Sequence, residues 1–459
     1  MKPSSIYDTI AAISTPPGEG GIGVIRVSGE KSLDVARKFF RKPDGKPVES
    51  FRPRYAYFGM VVDSEGREID RGIGIYFQAP SSYTGEDVFE FQLHGSPVIL
   101  NKLLEEILDA GVRLAEPGEF TKRAFLNGKI DLLQAEGVID LIQAYSEKAA
   151  ENARRLLEGE LSSIMWEIRD TLKEVLLHLE AAIDFPEEDL ELEEYPQLIE
   201  KLKMVDEKLK KLLNSYLPGR IFQYGAAVTL VGAPNVGKSH LLNRLLRRER
   251  AIVSEVPGTT RDFIEEKTLI AGIPVRLVDT AGIRETSDPV EKTGIEFTLK
   301  KVGESDLVLF IFDSSREPHQ YEIDFSRQIP EEKRIVVLNK SDIAVREVVE
   351  KIKELYPESV VVSALTGENI EKLEEKIKEK IKVASISADV MLTSERQYRL
   401  VKEAELSISR SIEEMVRNSP AEFVALEVRA ALERIGELTG EFYTEELLEE
   451  IFDRFCIGK

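Results

Sequence analysis

The run Gly232-Ala233-Pro234-Asn235-Val236-Gly237-Lys238-Ser239 constrains this chain more than any other segment. It follows a short apolar stretch, Ala226 to Val231, and fits the phosphate-loop pattern G-x-x-x-x-G-K-[ST]. Glycines let the backbone wrap phosphates with its N–H groups, so Asn235, Val236 and Gly237 are candidate phosphate contacts. Lys238 brings a point charge to the terminal phosphates, and the Ser239 hydroxyl suits magnesium. A helix starting near Lys238 turns its positive end toward the anion. Strand, loop and helix in that order predict a doubly wound α/β sheet.

Three more motifs follow in order, each after an apolar strand pattern. Val275 to Val278 leads into Asp279-Thr280-Ala281-Gly282, where the acid can hold magnesium through water and the glycine can meet a γ-phosphate. Ile335 to Leu338 leads into Asn339-Lys340-Ser341-Asp342. The Asp342 carboxylate can accept two hydrogen bonds from the ring N–H and amino group of guanine, a donor pair that adenine lacks. Val360 to Val362 leads into Ser363-Ala364-Leu365, a backbone contact for the guanine carbonyl. The nucleotide predicted is therefore GTP, and the activity its hydrolysis. Val256 to Asp262 reads as a switch segment, with Thr260 the second hydroxyl on magnesium.

Ile283 follows Gly282, at the position where Ras-like proteins carry a water-orienting glutamine. An apolar side chain cannot orient water, so another group must. The transition-state charge also needs a cation, from an arginine or from a potassium ion beside Asn235.

Outside this region the periodicity changes. Residues 1–119 read as strands and loops, with Ile22–Val27 and Gly72–Phe77 as strands and Ser96–Ala110 as a helix. From about Phe120 the spacing is helical. Leu157, Leu161, Ile164, Ile168, Leu172, Val175 and Leu179 share one face of a long helix, and a second helix is expected to end at Leu217-Pro218-Gly219. The spacing turns helical again after Ala384. We read residues 1–119 as an N-terminal α+β domain, 120–224 and 383–459 as two parts of a helical domain, and 225–382 as a P-loop GTPase domain inserted between them.

No stretch approaches the ~20 apolar residues of a membrane span, and the N-terminus lacks the pattern of a secretion signal. The single cysteine, Cys456, excludes an internal disulfide. A cytoplasmic protein is expected. A net charge of −21 argues against binding nucleic acid through overall charge, although Arg247, Arg248 and Arg250 form a local basic cluster. Cys456 by itself reads as a small apolar side chain packed under the last helix.

The segments TPPGEGGIGVIRVSG (15–29), SYTGEDVFEFQLHG (82–95), PGEFTKRAFLNGKIDLLQAEGVIDLI (117–142), AAIDFPEED (181–189) and FCIGK (455–459), together with the GTPase motifs, carry a resemblance over nearly the whole chain. The chain resembles the MnmE (TrmE) family of tRNA-modifying GTPases. One departure is His240, where the family usually has Ser or Thr.

The resemblance implies a potassium-dependent GTPase whose GTPase domains pair face to face. It implies potassium held by Asn235 and Thr259 and by backbone oxygens at Ser254 and Val256, with Glu291 orienting the water. It implies an N-terminal domain that dimerises and binds a 5,10-methylene- or 5-formyl-tetrahydrofolate through Arg26, Glu90, Lys129 and Lys459, with Cys456 at the modification centre. It also implies an FAD-dependent partner, MnmG, with which the family adds an aminomethyl or carboxymethylaminomethyl group to C5 of the tRNA wobble uridine. No G-x-G-x-x-G follows a strand, so the flavin is expected on the partner. A GTP-dependent ribosome-assembly switch is the competing reading. Such switches usually carry a second GTPase domain or a basic RNA-binding domain, and neither is found.

Overall fold

A computed structural model describes residues 8–184, 195–246, 265–279, 300–381 and 390–459. They divide into two compact units, Met1–Ile139 with Leu156–Glu180 and Val428–Lys459, and Asp140–Arg155 with Ala181–Glu427. Each is described separately.

The first unit is built on a seven-stranded sheet of β1 (Ile10–Ile13), β2 (Gly20–Ser28), β3 (Phe40–Arg41), β4 (Ala56–Val62), β5 (Glu68–Phe77), β6 (Val88–Gly95) and β7 (Arg113–Leu114). Their spatial order is β3-β4-β5-β6-β2-β1-β7. The strands expected at Ile22–Val27 and Gly72–Phe77 are parts of β2 and β5. Alternation along β2 and β6 buries Ile25, Val27, Phe89 and Phe91, on which the helix Pro97–Asp109 lays Leu100, Leu103 and Ile107. Helices Glu119–Leu126 and Leu132–Ile142 follow, and Phe125 and Leu132 share a core with Leu448, Ile451 and Phe455 near the C-terminus.

The long helix of the sequence reading begins at Glu160, not before Leu157. Gly159, at φ +84°, separates it from the helix Glu147–Leu157. Leu161, Ile168, Leu172, Val175 and Leu179 are buried along one face as expected.

The second unit holds a six-stranded sheet of β8 (Ala226–Gly232), β9 (Glu265–Ile270), β10 (Ile273–Asp279), β11 (Leu307–Asp313), β12 (Arg334–Asn339) and β13 (Val360–Val361), ordered β13-β12-β11-β8-β10-β9. All neighbours are parallel except β9 and β10. Every residue of β11 is buried, as a strand covered on both faces requires. β8 lies between β10 and β11, so the loop at its C-terminal end opens at the reversal of strand order, where doubly wound sheets bind ligands.

The expected helix end at Pro218 is not found. The helix Tyr195–Tyr224 runs through it, although proline offers no N–H to the carbonyl four residues before it. Ser215 Oγ donates to the Leu212 carbonyl and accepts the Leu392 N–H at 3.2 Å. Gly219 is a place of close approach rather than a terminator. A Cβ there would stand 2.1 Å from the Leu392 carbonyl oxygen. The segment Val390–Ser394, which carries the chain back into helix, is thus pressed on this helix. Asn152 grips it by bonding both the N–H and the carbonyl of Met391.

Candidate functional site

The nucleotide site is built from four strand ends. Gly237 adopts φ +95°, and a Cβ there would lie 2.3 Å from Asn339 Nδ2, so both backbone and space require glycine. Asn235 also takes a left-handed conformation, φ +64°, and is exposed. Lys238 is buried, with its Nζ donating to the carbonyls of Gly232 and Ala233 at 3.0 Å each. Its amine therefore stands inside the loop that would wrap the phosphates. Ser239 is exposed in the first turn of the helix Lys238–Leu246, which suits a magnesium ligand. The sheet ends and the helix N-terminus give this loop the donor-rich concavity that an anion needs.

Asn339 holds the loops together. Its Nδ2 donates to the Val236 carbonyl at 2.8 Å, and its Oδ1 accepts the Ala364 N–H at 3.0 Å. The residue is 2% exposed. Asp342 accepts from Ser363 Oγ at 2.5 Å, which aims the carboxylate while leaving acceptor capacity for a base. Ser341 is tied to Glu368 and, through its N–H, to the Val362 carbonyl.

Two contributors, Asp313 and Arg244, fall outside the sequence motifs. Lys340, at φ +69°, pairs with Asp313 Oδ2 at 2.6 Å. Burial disfavours the Asp313 charge, but Lys340 and Ser315 outweigh it and hold the carboxyl below the ordinary range. An acid closing a wholly apolar strand is the one signal for it in the sequence. Arg244 donates to the carbonyls of Ala364 and Leu365, anchoring the loop under the expected guanine contact. No sequence pattern marks it.

Ser254, Val256, Thr259, Thr260, Thr280, Ala281, Gly282 and Glu291 lie outside the described residues, as do Arg247, Arg248 and Arg250. Asp279 ends β10 beside Leu230 of β8, and its side chain lies outside the description.

The first unit contains a second constellation. Arg26 on β2 and Glu90 on β6 are direct cross-strand partners, joined at 2.9 Å with both side chains mostly buried. The Arg26 guanidinium lies 5.6 Å from the Tyr83 ring centre and 5.5 Å from that of Phe120. The C-terminus reaches this pair. Ile457 bridges to Pro117, the Phe120 N–H donates to the Lys459 carbonyl at 3.1 Å, and Arg26 Nη1 lies 3.5 Å from the Gly458 carbonyl. The Lys459 amine is pushed below its usual range by burial and then by Arg26, against the opposing pull of Glu90 and Cys456. Arg26, Glu90 and Lys459 are thus brought together.

Lys129 stands in the turn that follows the helix Glu119–Leu126. It is exposed and donates to the Pro80 carbonyl at 3.0 Å. Cys456 is exposed rather than packed under the last helix, because Phe452 and Phe455 fill that core.

A buried ion network fixes the loop that carries Tyr83. Arg123 pairs with Asp8, Glu86 and Glu119, and Arg113 with Asp8 and Glu119. Glu86 accepts from Ser28, Asn127 donates to the Thr84 carbonyl, and Tyr83 Oη sits 2.9 Å from Thr121 Oγ1. Such a network offsets the desolvation of its charges only where nearly every lone pair is used.

A mostly parallel sheet with a glycine-rich loop at its switch point, a lysine inside that loop and an Asn-Lys-Ser-Asp turn at the end of β12 defines a P-loop GTPase fold. The MnmE helical-domain model matches residues 132–456, and the model of the GTP-binding protein TrmE N-terminus matches residues 9–129. The chain is 46% identical to a tRNA modification GTPase MnmE of Aquifex aeolicus over 98% of this chain and 100% of that protein. It is 44% identical to one of Clostridioides difficile over 99% and 100%. A crystal structure of a point variant of Aquifex aeolicus Era bound to GDP and aluminium fluoride is similar at 29% identity, over 40% of this chain and 66% of that one, with a TM-score of 0.28. The chain belongs to the MnmE family, whose curated members are tRNA modification GTPases.

Proposed function

We propose that this chain is a potassium-dependent GTPase that works with a flavin-dependent partner of the MnmG kind. Together they install an aminomethyl or carboxymethylaminomethyl group at C5 of the tRNA wobble uridine, using a tetrahydrofolate one-carbon unit. The observation that carries this reading is the convergence of Lys459 on the Arg26–Glu90 pair. A GTP switch has no need of a half-buried carboxylate flanked by two cations in a separate unit. A folate does: Glu90 can accept from the aminopyrimidine edge of the pterin, and Arg26, Lys129 or Lys459 can hold the glutamate carboxylates.

In the GTPase site, the loop amides from Asn235 to Ser239 and the Lys238 amine bind the phosphates, while Asp342, Asn339, Lys340, Ser363 and Ala364 form the guanine pocket. Magnesium, held through Ser239 and Thr260, and potassium, held through Asn235, Thr259 and the oxygens of Ser254 and Val256, would supply positive charge to the transferring phosphoryl group. Glu291 would orient the water, since Ile283 cannot. Asp279, Thr280, Ala281 and Gly282 complete the γ-phosphate side. We assign residues 1–119 to folate binding and dimerisation, 120–224 and 383–459 to the helical domain, and 225–382 to the GTPase domain of a cytoplasmic homodimer. Cys456, exposed near Lys459, is a candidate participant in the modification. Among the described residues, no helix is long and apolar enough to cross a membrane.

The test is reconstitution. Purified chain, flavoprotein partner, folate, GTP and unmodified tRNA are combined, and the wobble uridine is analysed by mass spectrometry. A mass increase at C5 that depends on this chain supports the reading. GTP hydrolysis without any modified uridine favours the ribosome-assembly switch instead.

A further inference from the structure

The first unit carries a second cationic feature beside the Arg26–Glu90 pair. A hollow of about 580 Å³ is lined by Arg54, Lys129, Tyr83, Phe77, Ile75 and two serines, Ser81 and Ser82. No acidic side chain lines it. The chain has 83 acidic against 62 basic residues, and several cations in this unit are paired. Arg37, Arg67, Arg71, Arg113 and Arg123 all meet carboxylates. Arg54 and Lys129 bond backbone carbonyls instead, those of Ser81 at 2.9 Å and Pro80 at 3.0 Å. Such bonds position the charged heads without neutralising them. A guanidinium has five N–H donors and an ammonium three, so both retain donors for an anion.

The placement is held from behind. Arg54 adopts φ +58°, uncommon for a residue with a side chain, and its N–H is locked to the Tyr76 carbonyl at 2.7 Å. Strain of this kind persists where surroundings enforce it, often at ligand sites. Tyr83 forms a wall of the hollow, and Arg26 lies over the same ring. The hollow therefore continues the site proposed for the folate, and its open side admits a chain of variable length.

We propose that this hollow binds the carboxylates of a folate's γ-linked glutamyl tail, with Arg54 and Lys129 as the cations that hold them. The proposal rests on the folate reading above and extends it to the form of the substrate. Tails of several glutamates offer one carboxylate per unit, and charge-assisted bonds from guanidinium and ammonium suit them.

The experiment is calorimetric titration of the full chain with 5-formyl-tetrahydrofolate bearing one or five glutamates. The pentaglutamate should bind about tenfold tighter, a gain of the size expected for hydrogen bonds to charged groups. In Arg54→Ala the ratio of the two affinities should fall to about one, and Arg54→Lys should restore part of it. Raising ionic strength toward 1 M should also shrink the ratio, because the hollow is exposed. Equal affinities in the unaltered chain, or a ratio unchanged in Arg54→Ala, overturn the tail site while leaving the folate reading standing. Absence of binding by either folate overturns both.

Discussion

Asn339 and Gly237 stand so close that a single methyl group on the glycine would fall 2.3 Å from the amide nitrogen of the asparagine. The phosphate loop and the Asn-Lys-Ser-Asp turn are therefore one packed object. Asn339 acts here by spanning from the Val236 carbonyl to the Ala364 N–H. Asn339→Ala leaves both backbone groups buried without these partners, at about 1–3 kcal/mol each. GDP affinity should drop by roughly tenfold or more, measured with a fluorescent analogue. Unchanged affinity would show that the bridge is not what shapes the loop.

Asp342 is aimed by Ser363, and its value for guanine lies in accepting two N–H groups. Asp342→Asn replaces one acceptor with a donor. GTP affinity should fall by about 100-fold, given about 1.5–3 kcal/mol per charged hydrogen bond. Xanthosine triphosphate, which presents a carbonyl in place of the amino group, should bind better than GTP. A variant that still prefers GTP removes Asp342 from base recognition.

Asn235 is exposed in a left-handed conformation within the loop, and the proposed potassium site depends on it. GTP hydrolysis should run about tenfold or more faster in potassium than in sodium, a small part of the ~10³–10⁵ that a supplied arginine gives in related phosphoryl transfers. Asn235→Ala should erase the difference. Equal rates in the two salts defeat the assignment.

Glu119 has a depressed pKa. Burial opposes its charge, and the hydrogen bonds of Arg113, the Glu116 N–H and Arg123, with the Arg123 charge, more than compensate. A carboxylate whose folded pKa is lowered contributes stability above its ordinary value of 4.5. That contribution is lost as pH falls through the folded value. Glu119→Gln should therefore lower stability near neutral pH by about 3 kcal/mol, the scale for breaking a buried pair. The deficit should narrow as pH drops below 4.5, followed by thermal unfolding. A deficit constant with pH assigns the loss to packing.

The local elements are legible where the chemistry is local. β8, the loop at Gly232–Ser239 and the helix from Lys238 follow from an apolar run, two glycines and a lysine at fixed spacing. Tyr195–Tyr224 departs from expectation because the rule that proline ends a helix is also local. The segment packed beside Pro218, at Ser215 and Gly219, is Leu392, far along the chain. Asp313 escapes a sequence reading for a similar reason, since nothing near it in sequence announces Lys340 as its partner.

What the sequence determined alone is the set of functional groups and the backbone shapes that present them: a loop that cradles phosphates, a carboxylate suited to guanine, and a family pattern marking Arg26, Glu90, Lys129 and Lys459. Tertiary structure decided which of those groups meet. Register between β2 and β6 sets Arg26 against Glu90, and chain return brings Gly458 to Arg26 across 432 positions. It also set Lys129 and Arg54 around one hollow, with Tyr83 in its wall. Spacing along a chain governs hydrogen bonds within a turn or a helix. Adjacency between distant segments is governed by which apolar faces can be buried together, and only the packed core settles that.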